Sequence, residues 1–155
     1  MSNQLMELEA TLKNQLVIVQ EMRVMKDEVA QMKQDIKEDV RELRDSITLT
    51  RHEGAELQSV VGRKAWKLAD ELFEEPVSDD LFLAKVGHFR GIIYKRLKDT
   101  FNVARYYDIR RIDFNQAKQV VDIVQLSNLK DYQLRLTARQ KEIAEQNGDN
   151  ISGME

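Results

Sequence analysis

The sequence predicts an all-α protein, in which a long N-terminal coiled-coil helix precedes a compact bundle of four to five short helices. Residues 1–46 contain no Gly, Pro or aromatic residue, and their apolar side chains recur at alternating spacings of three and four. The residues that follow show further stretches of helical periodicity. The chain has only six Gly and one Pro, which are too few for the many turns of a β fold. We therefore predict a coiled-coil helix over residues 1–46, a small helical regulatory domain over 47–145 and a disordered tail over 146–155.

Residues 1–46 are predicted to be an oligomerisation helix. Apolar side chains occupy most of the a and d positions of a heptad repeat that is sustained along the whole segment. The apolar residues assigned to oligomerisation are Leu5, Leu8, Leu12, Val19, Met22, Val29, Ile36, Val40 and Leu43. A lone helix with this pattern would expose a continuous apolar stripe to water, so the pattern predicts a partner helix.

The number of strands in the coiled coil stays open. Lys26 and Lys33 at a positions favour two strands, because a lysine stem leaves a dimer core more easily than a larger core. Apolar residues at e and g positions widen the stripe in the middle, which suits three or four helices; they are Leu16, Ile18, Met25, Ala30 and Met32. We place a parallel homodimer first and a tetramer second. A helix that folds back onto its own globular domain is the remaining alternative.

A capping box predicts the start of the next helix, because the Thr50 hydroxyl and the Glu53 side chain can each accept the other's backbone amide. Its apolar face comprises Leu57, Val60, Val61, Ala65, Leu68 and Leu72. We expect Trp66, at the edge of this face, to be a core anchor. Pro76 and Ser78 then separate this helix from the next one.

Three further helices are predicted after Ser78. The first carries Phe82, Val86, Phe89, Ile93 and Leu97 on one face and ends at Asn102. The second begins near Arg111, after a short connection, and carries Phe114, Ala117, Val120, Val121 and Val124. The last is capped by Ser127 or Asn128 and carries Leu129, Tyr132, Leu136 and Ile143.

The second half of the chain contains a basic segment rich in aromatic residues. Nine Lys or Arg lie between Lys85 and Lys118, against three acids, although the chain has a formal net charge of -3. Three arginines crowd a turn beside a helix N-terminus, where cations are unfavourable, so the cluster indicates an anionic partner. One tyrosine of the adjacent pair 106–107 is free to stack on a base. The candidate nucleic-acid or partner-binding residues are Lys95, Lys98, Arg105, Tyr106, Arg110, Arg111 and Lys118.

This segment also carries a family resemblance. The helix from Tyr94 to Leu97, the Phe101-Asn-Val turn, the Tyr107-Asp-Ile connection and the helix start Asp113-Phe-x-x-Ala117 resemble the ORF-six C-terminal domain of phage and prophage antirepressor-type proteins. The resemblance covers residues 47–127. It implies a regulatory role in phage development. Relatives usually carry a separate DNA-associated module before this domain, whereas a coiled coil stands in that place here.

The sequence contains no motif that indicates a metalloprotein, an enzyme or a membrane protein. There is no cysteine, and His52 and His88 stand far apart without clustered acids, so we expect no metal site. Phosphate-binding and hydrolase motifs are absent, so we expect no enzymatic activity and no cofactor. Neither a signal peptide nor an apolar run of the roughly 20 residues that span a bilayer is present. We expect no membrane partner and a location in the bacterial host cytoplasm.

Two functions remain open. In the first, the chain is a phage or prophage regulator that oligomerises through its coiled coil and binds DNA through the basic domain, which controls phage gene expression. In the second, it is an antirepressor or adaptor that binds a phage repressor or a host protein without contacting DNA. The net charge of -3 and a pI of about 5.5 favour the second, because most stand-alone DNA-binding domains are basic overall.

Overall fold

The computed structural model describes residues 2–154, and within that range every regular element is helical, apart from one isolated bridge between Thr48 and Arg110. A long first helix is followed by shorter helices that pack into a compact bundle, which confirms the all-α prediction. The chain divides into two compact units, with the division between Arg44 and Asp45. None of the helices described is both long enough and apolar enough to cross a membrane.

The first helix, α1, spans Ser2–Ser46, which corresponds to a length of about 67 Å at 1.5 Å per residue. It contains no buried residue, so all of its predicted a and d side chains are exposed in the single chain. Val19, for example, exposes 46% of its surface and Leu5 exposes 62%. Its assembly with other copies therefore stays a prediction, but its apolar stripe is accessible.

Two long helices, α2 (Arg51–Leu72) and α3 (Asp79–Phe101), make the most extensive packing contact of the second unit. The predicted capping box begins α2: the Glu53 amide donates to the Thr50 hydroxyl over 3.1 Å, and the Thr50 amide donates to the Glu53 carboxylate over 3.0 Å. Ser78 caps α3, which ends at Asn102 in the left-handed conformation (φ 52°). Asn is among the few residues other than glycine that adopt this conformation readily.

A short fourth helix, α4 (Phe114–Asp122), closes the main core against α2 and α3. Two 3-10 turns, Tyr106–Asp108 and Arg111–Asp113, lead into it and lie beside the segment that precedes α2. There the Leu49 amide donates to the Ile109 carbonyl over 3.0 Å. Ile109, which is fully buried, thereby anchors the connection between α3 and α4.

The prediction of one continuous last helix is wrong. In place of one helix from residue 127 or 128, the structure has a 3-10 turn, the single-turn helix α5 (Asp131–Leu134) and a separate helix α6 (Ala138–Asn147). The break coincides with a capping box at the start of α6: the Gln140 amide donates to the Thr137 hydroxyl over 3.2 Å, and the Thr137 amide donates to the Gln140 side chain over 3.0 Å. Leu136 is buried in a second core cluster, whereas Tyr132 is 65% exposed.

Two other expectations differ from the structure. Trp66 is 53% exposed and contacts the bundle through an edge-on approach to Phe82, with ring centroids 4.6 Å apart, so it is not a core anchor. Residues 146–154 were predicted as part of a disordered tail, but α6 continues to Asn147 and the following residues fold back. Ile151 and Met154 pack against the second core cluster there.

Candidate nucleic-acid or partner interface

The C-terminal end of α3 positions the start of the basic segment. The amides of Asn102 and Val103 both donate to the Lys98 carbonyl, which ends the helix and turns the chain sharply. Lys95 and Lys98 therefore lie in the last two turns of α3, and Arg105 follows after the turn. Cations in the last turn of a helix interact favourably with its partial negative charge, and Lys98 lies in that turn.

Tyr106 connects the turn after α3 to the two long helices. Its ring lies 5.0 Å from that of Tyr94 on α3, and its hydroxyl accepts a hydrogen bond from the Gln58 side chain of α2. Tyr107 is 44% exposed and presents its edge to Tyr106. The structure thus packs Tyr106 partly into the domain and leaves Tyr107 as the tyrosine available for stacking, as expected for two adjacent side chains that cannot both point inward.

Arg105 forms an ion pair with a residue of the adjacent 3-10 turn. Its guanidinium donates to both carboxylate oxygens of Asp108, over 3.1 and 3.3 Å, and its charge lies 4.5 Å from the centre of the Tyr107 ring. The hydrogen bond to Asp108 and the charge of that carboxylate raise the pKa of Arg105. Because 61% of its side chain is exposed, Arg105 still faces solvent.

Arg110 and Arg111 follow the buried Ile109 and diverge from each other. Arg110 donates to Asp113 over 3.0 Å, and a second acid, Asp45, lies 3.9 Å away. Arg111 instead reaches Glu53 in the first turn of α2, over 3.2 Å. The hydrogen bond from the Thr50 amide lowers the pKa of Glu53, and the Arg111 charge lowers it further.

Lys118 of α4 also points towards α2. Its ammonium lies 3.4 Å from Glu56 and 4.6 Å from the centre of the Phe114 ring. Arg111 and Lys118 therefore share the first turns of α2 as their neighbour, whereas Lys95 and Lys98 belong to α3. The predicted site is thus spread over α3, the connection and α4.

Lys95 and Lys98 differ from the other four predicted cations in their partners. Each of those four forms an ion pair with a carboxylate of the second unit. No such pair involves Lys95 or Lys98 anywhere in residues 2–154. Neither lysine is therefore held by an ion pair in the part of the chain that the structure describes, although Asp99 follows Lys98 directly on α3.

Lys85 belongs to the basic segment in sequence but not in space. Its side chain is fully buried, and its ammonium donates to the carbonyl oxygens of Gln133 and Arg135, over 3.1 and 2.8 Å. Burial lowers the pKa of Lys85 to about 8. Burial and the nearby Lys85 charge lower the pKa of His88, whose Nδ1 lies 3.2 Å from the Lys85 ammonium.

A sequence signal for the burial of Lys85 exists. Lys85 is four residues from both Leu81 and Phe89, and this spacing places all three on one helix face. Leu81 and Phe89 are fully buried. Within the described part of the chain, no cluster of His, Cys, Asp or Glu is arranged to hold a metal ion.

Comparison with known proteins identifies the family. The ORF6C domain matches residues 15–133, which is most of the chain, whereas searches of curated proteins and of solved structures found no match. The match includes residues 15–46 of α1, which lie before the range 47–127 over which the resemblance was predicted. It also extends six residues beyond the predicted end at 127. The chain belongs to the ORF6C domain family, a phage-associated C-terminal domain.

Proposed function

We propose that this chain is a phage regulatory protein that oligomerises through α1 and binds DNA through a basic surface. We define the basic surface by its six cations and one tyrosine: Lys95, Lys98, Arg105, Tyr106, Arg110, Arg111 and Lys118. The observation that carries the proposal is the pair of lysines on α3 without an ion pair within residues 2–154. Cations that are not engaged in an ion pair can contact phosphates without exchanging a partner.

The ion-paired arginines are compatible with the same role. Arg105, Arg110 and Arg111 expose 61%, 47% and 60% of their side chains. Exposed ion pairs contribute only about 0–1 kcal/mol, so exchanging a carboxylate for a phosphate costs little. The exposed Tyr107 ring beside Arg105 offers a surface on which an unpaired base can stack.

Oligomerisation through α1 would multiply these contacts. The apolar stripe of α1 is exposed in the single chain, and its burial against other copies would place two or more basic surfaces on one particle. Linked binding sites raise the overall affinity without any new contact. The proposal requires no cofactor and no catalytic step, and it places the protein in the bacterial host cytoplasm.

A salt titration tests the proposal. Binding of the full chain to a fluorescent DNA duplex is measured by anisotropy between about 50 and 200 mM salt. We expect Lys95→Gln with Lys98→Gln to weaken binding and to reduce the slope of log affinity against log salt by about 2, at roughly 0.9 per phosphate contact. The control, Lys67→Gln with Arg139→Gln, removes the same charge from two exposed positions outside the basic surface and should preserve the slope. Equal slopes for both variants, or no binding by the parent, would refute the DNA interface.

A protein-binding role is the second candidate. Residues 47–155 hold 17 Lys or Arg and 17 Asp or Glu, so this part of the chain has no net positive charge. Four of the six cations also pair with carboxylates of their own unit. This arrangement suits an acidic protein surface, such as that of a repressor. Recovery of one defined partner from phage-infected lysate, unchanged by nuclease and lost in the Lys95→Gln with Lys98→Gln variant, would favour this role.

A further inference from the structure

We infer that α1 pairs with a second copy of itself in antiparallel orientation, in a two-stranded coiled coil. In this register Leu12 of one copy packs opposite Ile36 of the other, and Val19 packs opposite Val29. The inference rests on the proposed oligomerisation and deepens it by naming the partner and its direction. It differs from the parallel dimer that the heptad pattern alone placed first.

The accessible surface of α1 is large enough for such a partner. No residue of α1 is buried, and its apolar side chains recur along about 67 Å of helix. The exposed apolar members run from Leu5 to Val40 and beyond, and only Gln15, Lys26 and Lys33 interrupt them at a or d positions. Because apolar side chains recur towards both ends of the helix, a second α1 aligned end to end covers the stripe along its length.

The two core lysines decide the direction. In a parallel pair, a positions face a positions, so Lys26 would meet Lys26 and Lys33 would meet Lys33. In an antiparallel pair, a positions face d positions. Lys26 then lies opposite Met22, along which its aliphatic stem can extend, and Lys33 lies opposite Gln15, whose amide oxygen can accept its hydrogen bond. The antiparallel register therefore removes both like-charge contacts from the core.

The flanking positions favour the same direction. In the antiparallel pair, e positions face e positions and g positions face g positions, and apolar residues meet apolar ones. Leu16 approaches Ala30, Ile18 approaches Met32, and Met25 approaches Met25 of the second copy. The widened middle of the stripe, which otherwise suggests three or four helices, is thereby covered by two.

A parallel pair leaves these same residues mismatched. There g positions face e positions of the next heptad, so Ile18 would meet Arg23 and Met32 would meet Lys37. Two exposed apolar side chains in each copy would then lie against charged groups. The parallel register thus buries less of the apolar surface that α1 exposes.

The remaining rim charges do not reverse this preference. The antiparallel pair brings Glu9 near Lys37, and the parallel pair brings Asp39 near Arg44, so each direction has one attractive contact in each copy. The antiparallel pair also brings Arg23 near Arg23 of the second copy. This is a single contact at the solvated rim, whereas a parallel pair would bring two pairs of like-charged lysines together.

Spin-label distances on the full chain test the direction, because the chain contains no cysteine and accepts a single engineered one. Ala10→Cys and Val24→Cys both lie on the face opposite the stripe. In the antiparallel pair, residue 10 lies opposite residue 38, so two labels at residue 10 should be about 42 Å apart along the axis. Labels at residue 24, near the midpoint, serve as the control and should lie within about 30 Å in either direction.

The outcomes separate this inference from the proposed function. A dimer with a long separation at residue 10 and a short one at residue 24 supports antiparallel pairing. A dimer with short separations at both positions overturns the direction and leaves oligomerisation standing. A tetramer by sedimentation overturns the two-stranded pairing, and a monomer overturns oligomerisation itself. As an independent arm, Ala10→Cys chains carrying a donor dye are mixed with Glu38→Cys chains carrying an acceptor dye, so that only mixed pairs transfer energy, and the transfer should be efficient only if the helices are antiparallel.

Discussion

Asp149 provides the sharpest test of how the C-terminal residues fold. Its carboxylate accepts hydrogen bonds from the Ser78 amide over 2.7 Å and from the Ser78 hydroxyl over 2.5 Å. Ser78 is the cap of α3, so the carboxylate also lies at the N-terminus of that helix, where negative charge is favourable. Asp149→Ala removes all of these interactions together, and a disordered tail would predict no effect.

The size of the effect follows from these contacts. Hydrogen bonds to a charged group contribute about 1.5–3 kcal/mol each when buried, but Ser78 and Asp149 are half-buried, so water replaces part of the loss. The helix N-terminus adds about 0.5 kcal/mol. We therefore expect Asp149→Ala to lower the free energy of unfolding by about 2–3 kcal/mol. For a domain of this size, the midpoint of thermal unfolding should fall by about 6–10 °C.

Thermal unfolding followed by circular dichroism measures this loss, and hydrogen exchange locates it. The amides of Ser78 and Met154 should exchange faster in Asp149→Ala, because the second is bonded to Ile151 in the folded-back segment. Glu142→Ala removes an exposed acid from α6 and is the matched control. If the two variants unfold alike and the exchange of both amides is unchanged, the carboxylate does not hold this segment in place.

Three further predictions concern the second unit. Thr50→Ala removes the α2 cap and should cost about 1 kcal/mol in urea unfolding, whereas an unchanged midpoint would exclude the capping box. The pKa of Lys85 is about 8 in the folded chain and 10.5 ordinarily, so between these pH values only the unfolded chain holds the proton. The free energy of unfolding should therefore rise as the pH increases from 8 to 10.5. Lys85→Met should abolish that rise, and a rise that persists in this variant would exclude Lys85 as the cause. Phe89→Ala should cost about 3–5 kcal/mol because Phe89 is fully buried, while Trp66→Ala, at a half-exposed position, should cost far less; equal losses would contradict the observed burial.

Local sequence patterns predicted the helices that local interactions define. The start of α2 depends on Thr50 and Glu53, three residues apart, and the end of α3 depends on a single left-handed Asn102. Such signals need no knowledge of the tertiary structure. The pattern Thr137-x-x-Gln140 is of the same kind, yet the apolar spacing from Leu129 to Ile143 concealed the break before it. The cap at Thr137 therefore marks where α6 begins, although the apolar periodicity continues across that position.

Long-range contacts decided the rest. Nothing near residue 149 in the sequence indicates that its carboxylate meets Ser78, 71 residues earlier. Trp66 lies beside an apolar stripe, but how deeply it is buried depends on how closely α3 approaches through Phe82. Lys85 is buried because two carbonyl oxygens at the end of α5 receive its ammonium, and these belong to residues 48 and 50 positions away.

In the basic surface, contacts between residues distant in sequence likewise change the charge that the sequence predicts. Counted along the sequence, Arg111 and Lys118 belong to a positive surplus, because the acids in this segment are fewer than the Lys and Arg residues. In the folded unit Glu53 and Glu56 approach them from α2, the latter 62 residues from Lys118. A surplus in sequence is therefore not a surplus in space, and a phosphate must compete with those carboxylates. No carboxylate lies within ion-pairing distance of Lys95 or Lys98 in residues 2–154, so an anion bound by these two lysines would displace no existing ion pair.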